Sequence, residues 1–219
     1  MLYYILAAII VLCAAAIAYT WYYHSVLEKK KDEFLYTEEI TIMGKRTLRH
    51  YCNDFEIWEI FDFFSKEEAQ KCIDIAENLA KTRQVENKSS NMIARLNKEK
   101  YELMEKLGKI ISNLMTTESE YKNNFGIYKY IPGTNIEVHH DGCSSKKGKP
   151  CEEVEVSNII FLNDDYKGGK IYFKSLDLKI QPALGKMIIF KNYDKDGKRY
   201  YDSEFESTKI LNGMQYLLR

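Results

Sequence analysis

Histidine is scarce in this chain: four occur in 219 residues, and none lies beyond His140. A metal site or proton relay that needs an imidazole from the C-terminal third is thereby ruled out. Proline is rarer still, at three residues, and no low-complexity tract or internal repeat interrupts the sequence. Long disordered segments are therefore not expected. Net charge is absent as well, because 32 basic residues balance 32 acidic ones. No strong field draws the protein to nucleic acid, and no nucleic-acid partner is expected. The five cysteines show no CxxC pair and no zinc-ribbon spacing. Cys143 and Cys151 flank a polar loop and leave two readings open, a disulfide in an oxidising compartment or two free thiols.

What is present at the N-terminus is an uncharged, apolar run from Leu2 to Tyr23. Its 22 residues make about 33 Å of helix, enough to cross a hydrocarbon core of about 30 Å. Tyr3 and Tyr4 at one end, and Tyr19, Trp21, Tyr22 and Tyr23 at the other, suit the two water interfaces. Ala16-Ile17-Ala18 loosely resembles a signal-peptidase site. No Lys or Arg precedes the run, however, and it continues past that point. A single-pass signal-anchor over residues 1–24 is expected, with a juxtamembrane linker over 25–52 and one domain over 53–219. Lys29, Lys30 and Lys31 directly after the run place the domain on the cytosolic side by the positive-inside rule. The acceptor sequence Asn87-Lys88-Ser89 matters only in the alternative, luminal topology.

Within the domain, Ile57 to Phe63 reads as a strand rich in aromatic and branched residues. Ser65-Lys66-Glu67-Glu68 has the form of a capping box, and Ala69, Cys72, Ile73, Ala76 and Leu79 follow at helical spacing. A second helix is expected over Lys98 to Met115. Beyond Tyr121 the pattern turns to short strands: Phe125–Ile131, Ile136–Asp141, Val156–Asn163, Lys170–Lys174, Leu178–Gln181, Lys186–Lys191, Lys198–Glu204 and Gly213–Leu218. Turn residues separate them, as at Pro132-Gly133, Gly168-Gly169 and Asp196-Gly197. Two helices followed by about eight strands describe an α+β domain. Its sheets must pack face to face, which a double-stranded β-helix (jelly-roll) achieves with few exposed edges.

His139-His140-Asp141 is the most informative tripeptide. Side chains alternate along a strand, so His139 and Asp141 share one face and together present two donors to a single metal. With a later histidine they would complete the two-His, one-carboxylate triad of non-haem iron oxygenases.

The surrounding motifs strengthen that reading. From Ile57 onward the chain resembles the prolyl 4-hydroxylase-like branch of the iron(II)/2-oxoglutarate dioxygenases. Phe63-Phe64-Ser65-Lys66-Glu67-Glu68 is similar to the family's opening helix start. Tyr128-Lys129-Tyr130-Ile131-Pro132-Gly133 followed by His139-His140-Asp141 resembles its "Y-x-x-G … H-x-D" pair. Ser157 to Asn163 with Gly168-Gly169 and Phe173, and then Ile180-Gln181-Pro182 with Gly185 and Phe190, resemble its later strands. The resemblance implies iron(II) and 2-oxoglutarate as cofactors, His139 and Asp141 as iron ligands, and Tyr130 as a hydrogen-bond partner of 2-oxoglutarate.

The end of the family pattern departs from this sequence. Aligned on Ile210-Leu211-Asn212-Gly213, the distal His position falls on Phe205, with Ser203 matching the usual serine before it. The basic residue expected to pair with the far carboxylate of 2-oxoglutarate falls on Gln215. A neutral donor contributes about 0.5–1.5 kcal/mol where a charged one gives about 1.5–3. That difference is roughly tenfold in affinity. Glu204 and Glu206 flank Phe205 as substitute ligands, but in a regular strand they face the opposite way. Lys170, Lys174 and Arg219 are the cations available to replace the missing charge.

Three functions compete. The first is a membrane-anchored binding or structural module, weakly active or inactive, with a protein or peptide partner. The second is an active dioxygenase with an altered metal shell, acting on peptidyl proline by family analogy. The third is a viral or surface interaction protein that never bound iron, against which the joint presence of Tyr130, His139 and Asp141 counts.

Overall fold

The computed structural model describes residues 17–19, 35–82, 91–97, 101–115, 124–141 and 154–219. The chain divides into two units, Met1–Tyr36 and Thr37–Arg219. In the first, residues 17–19 are helical. The rest of the expected anchor, the Cys143–Cys151 loop and the Asn87 acceptor site lie outside the described residues. Among the described residues no helix is long and apolar enough to cross a membrane.

The second unit is built from β1 (Tyr36–Ile42), β2 (Lys45–Cys52), β3 (Phe55–Ile60), α1 (Lys66–Thr82), β4 (Met92–Asn97) and α2 (Glu102–Met115). Seven further strands follow: β5 (Asn124–Tyr130), β6 (Val156–Phe161), β7 (Ile171–Phe173), β8 (Leu178–Ile180), β9 (Met187–Lys191), β10 (Glu206–Ser207) and β11 (Gln215–Leu218). An eight-stranded sheet has the order β1-β2-β3-β9-β6-β11-β5-β4, and a three-stranded sheet the order β10-β7-β8. This is the jelly-roll expected, with two supporting helices.

Alternation explains how one large sheet serves two cores. On β6, Ile159 and Phe161 point to an inner core shared with Ile171, Phe173, Ile180 and Phe205 of the small-sheet side. Val156, Ile160 and Leu162 point the other way, to a core made with Ala69, Cys72 and Ala76 of α1 and Met104, Leu107 and Ile111 of α2. Both faces being covered, every residue of β6 is buried. The polar Ser157 and Asn158 are buried along with its apolar residues.

Helix α1 starts where the capping box places it. The Ser65 N–H donates to Glu68 Oε2 (2.9 Å) and the Glu68 N–H to Ser65 Oγ (3.1 Å). Cys52 and Cys72 are buried, and burial pushes the Cys72 thiol up to about 12, which leaves it unreactive.

Three readings need correction. The linker assigned to residues 25–52 contributes β1 and β2 from Tyr36 onward. Their polar alternation hid them: Arg46 pairs with Glu39, and Arg49 with Glu38 and Glu56, across exposed sheet edge. Their turn has both Met43 (φ 53) and Gly44 (φ 71) in the left-handed region, a two-residue hairpin geometry. Strand β4 was not foreseen, and α2 begins at Glu102 rather than Lys98. Ile136–Asp141 and Lys198–Glu204 are not strands. The first is held by a lone bridge, His139 to Phe205, and the second ends in a 3-10 turn at Tyr201–Ser203.

A buried ion cluster ties β2, β3 and β9 together. Glu59 accepts from His50 Nε2 at 2.7 Å and from Lys186 Nζ at 2.6 Å, and all three side chains are almost fully buried. Burial alone would raise the Glu59 pKa, but the hydrogen bond from His50 and the charge of Lys186 outweigh it and hold the carboxyl below its ordinary value. A carboxyl depressed by folding stabilises above its unfolded pKa, about 4.3, and loses that contribution as pH falls through the folded value. Replacing Glu59 by Ala leaves Lys186 uncompensated, with an expected cost of about 3–5 kcal/mol. Urea unfolding of the Glu59→Gln variant should also show a shallower loss of stability below pH 4.3. An acid limb as steep as wild type would contradict this assignment.

Candidate functional site

The site grows from one register. β11 pairs antiparallel with β5, placing Gln215 opposite Tyr130 and Leu217 opposite Tyr128. Arg219 continues the ladder, exchanging both backbone hydrogen bonds with Gly126 at 2.9 and 2.7 Å. Side chains alternate, so Gln215, Leu217 and Arg219 share the inner face with Tyr130 and Tyr128. From Gln215 to Arg219 the strand advances about 13 Å. The two polar residues therefore serve opposite ends of the site.

At the Arg219 end stand His139 and Asp141. The segment carrying them is stitched to Phe205 and Ser207, at the start of β10. His139 and Phe205 exchange backbone bonds at 3.1 and 3.0 Å, and Ser207 Oγ accepts from the Ile136 N–H at 2.7 Å. His139 Nδ1 lies 2.7 Å from the Glu137 carbonyl oxygen. A carbonyl only accepts, so Nδ1 carries the hydrogen and Nε2 of the neutral ring presents a lone pair. That lone pair and Asp141 Oδ1, 3.0 Å apart, converge on Arg219. Arg219 Nη2 lies 2.6 Å from Asp141 Oδ1 and 3.1 Å from His139 Nε2.

The other carboxylate oxygen is fixed from behind. Ser157 Oγ donates to Asp141 Oδ2 at 2.8 Å, and Asn192 Nδ2 donates to Ser157 Oγ at 2.8 Å. Burial penalises the Asp141 charge, but the Arg219 charge and the Ser157 hydrogen bond prevail and hold the carboxyl well below the usual range. Arg219 is likewise penalised by burial and kept charged by Asp141. Tyr130 is buried, which raises its hydroxyl pKa, and Arg219 lies within hydrogen-bonding reach of it.

Phe205 is fully buried against this cluster, its ring centroid 4.6 Å from that of His139. Ser203, Phe205 and Ser207 are buried, while Glu204 and Glu206 between them are half-buried on the outer side. Glu204 Oε1 reaches His140 Nε2 at 3.5 Å, and Glu206 lies opposite Tyr172 in the small sheet. Burial first, and then the Arg199 charge, lower the His140 pKa. Among the described residues, no group of three His, Cys, Asp or Glu side chains could hold a metal ion.

At the other end Gln215 is fully buried. Its Nε2 donates to Tyr166 Oη at 2.7 Å and to the Gly169 carbonyl at 3.1 Å, leaving Oε1 with no partner. The Gly169 carbonyl requires the amide nitrogen there, so the orphan is an acceptor. Of the three cations available to replace the missing charge, Arg219 sits at the His139 end and Lys174 is exposed. Sequence reasoning gave no role to Ser157, Asn192 and Tyr166. It left Arg219 unplaced, although its spacing of four from Gln215 on one strand carries that information.

No family model matches the chain. A putative prolyl 4-hydroxylase of Acanthamoeba polyphaga mimivirus is 27% identical over 70 residues, a match spanning 29% of this chain and 29% of that protein. Among solved structures, the viral collagen prolyl hydroxylase vCPH of Paramecium bursaria Chlorella virus-1, in its 2-oxoglutarate complex, aligns with a TM-score of 0.60 at 20% identity. The alignment covers 74% of this chain and 92% of that one. A Pseudomonas putida prolyl-4-hydroxylase aligns with a TM-score of 0.51 at 12% identity, over 74% and 89% of the two chains. The fold is prolyl 4-hydroxylase-like.

Iron and 2-oxoglutarate, which that resemblance implies, do not fit the residues present. Two donors face a guanidinium, a phenyl ring stands beside them, and the far carboxylate of 2-oxoglutarate would meet the orphan Gln215 acceptor. The Ser157 and Asn192 bonds hold Asp141 in place whatever its partner is. Ser157→Ala removes a hydrogen bond to a charged group and should cost about 1.5–3 kcal/mol, read from chemical denaturation. An unchanged midpoint and slope would mean that Asp141 is oriented by Arg219 alone.

Proposed function

We propose that this protein is a membrane-anchored module of prolyl 4-hydroxylase fold that binds a protein or peptide partner and has little or no dioxygenase activity. One observation carries the reading. Phe205, aligned with the family's distal histidine, packs its ring on His139 and is joined to it by two backbone hydrogen bonds. A phenyl ring donates nothing to a metal, and no histidine follows His140 to take its place. Loss of a partner that merely orients a metal ligand costs about 10–100-fold, and loss of the ligand itself should cost no less. The state of Gln215 supports the same conclusion for the cosubstrate.

Anchoring is supported by the uncharged run Leu2–Tyr23 with its terminal aromatic rings, and a cytosolic domain by Lys29, Lys30 and Lys31. The partner is proposed to be a protein or peptide by analogy with the similar proteins, among them a viral collagen prolyl hydroxylase.

A second reading, an active peptidyl-proline hydroxylase, has one feature in its favour. Glu137 fixes the tautomer of His139, and Ser157 and Asn192 orient Asp141, as outer partners orient the ligands of working metal centres. The two readings separate in one anaerobic titration of the purified protein with iron(II) and 2-oxoglutarate. The metal-bound cosubstrate gives a visible charge-transfer band. No band at saturating concentrations is expected, either for wild type or for Asp141→Ala. A band in wild type that Asp141→Ala abolishes would establish the active enzyme instead.

A further inference from the structure

The geometry points to Arg219 as the resident cation of this site: its guanidinium takes the position between His139 and Asp141 that a metal ion would take, and Phe205 is its partner rather than a vacancy. The inference deepens the metal-free reading and rests on it.

Two acceptors 3.0 Å apart, His139 Nε2 and Asp141 Oδ1, repel one another unless a positive donor lies between them. Arg219 Nη2 bonds both, at 3.1 and 2.6 Å. Above the guanidinium the rings agree with its charge. Arg219 Cζ lies 5.3 Å from the centroid of Phe205 and 5.4 Å from that of Tyr128, both within cation–π range. The aromatic face that cannot ligate a metal is well suited to a delocalised, weakly hydrated cation. Phe205 and Arg219 thus form one coupled exchange, a phenyl and a guanidinium in place of an imidazole and a metal.

The backbone fixes the exchange. Arg219 is locked to Gly126 through both its N–H and its carbonyl. A Cβ on Gly126 would come within 2.7 Å of the Tyr128 ring, so the glycine keeps that ring where the guanidinium needs it. Arg219 and Asp141 side chains are 14% and 18% exposed, so neither charge is satisfied by water if the other leaves. It follows that the fold is stable without metal, and that divalent cations must displace a buried salt bridge to enter.

Cobalt(II) absorption and thermal unfolding test this on the intact chain in detergent. Wild type should show no cobalt-dependent visible band, and its unfolding midpoint should not respond to EDTA. Phe205→His alone should bind cobalt only weakly, because Arg219 remains in place. Phe205→His with Arg219→Ala should bind it about 10–100-fold more tightly than Phe205→His alone, with stabilisation that EDTA reverses. Arg219→Ala alone should lower the midpoint, and Arg219→Lys, which keeps the charge but loses the planar fork, should recover only part of it. Cobalt binding by wild type would overturn the metal-free reading itself. With wild type inert, tight binding by Phe205→His alone, or a wild-type midpoint in Arg219→Ala, would overturn the role of Arg219 and leave that reading standing.

Discussion

A carboxylate inside a jelly-roll has to be matched by a cation, and in this protein Asp141 is matched by Arg219. Taking the pair out of water costs several kcal/mol per ion unless geometry and further hydrogen bonds offset it. Here they do: Asp141 accepts from Arg219 at one oxygen and from Ser157 at the other, and Ser157 is backed by Asn192. The constraint reaches outward from that contact. It demands that β11 run in register with β5, that Gly126 make room for Tyr128, and that the segment of His139 be held against that of Phe205.

A second buried cluster makes the same point at the other end of β9. Lys186, Ile188 and Phe190 share the inner face, and Lys186 reaches Glu59 and through it His50, while Asn192 beyond the strand supports Asp141. The inner core between is aromatic: Phe173, Phe190 and Phe205 meet edge to face or tilted, at 5.1 to 5.8 Å between centroids. An aromatic core thus lies between two buried ion clusters, each pairing a carboxylate with a cation.

Much of this was legible in the sequence where local physics decides. The capping box at Ser65 and Glu68 is a matter of four adjacent residues, and it forms as read. Of the eight strands read after Tyr121, six form, set off by turn residues. Tertiary context decided the rest. β1 and β2 carry charge on both faces and are held by cross-strand ion pairs, so they have the composition of a linker. The run Ile136–Asp141 has a strand's composition but only one bridge to pair with. At the site, the absence of any histidine beyond His140 was plain from the sequence alone. The role of Arg219 was not, because a lone arginine reveals its contact only when strand register fixes which residue it faces.

The most direct measurement is a crystal structure of the protein grown anaerobically with excess iron(II), with diffraction recorded at the iron absorption edge. This account predicts no anomalous peak near His139 Nε2 and Asp141 Oδ1, and guanidinium density bonded to both. An anomalous peak between those two atoms, with Arg219 turned away, would contradict it and mark the protein as a metal enzyme with an unusual third ligand.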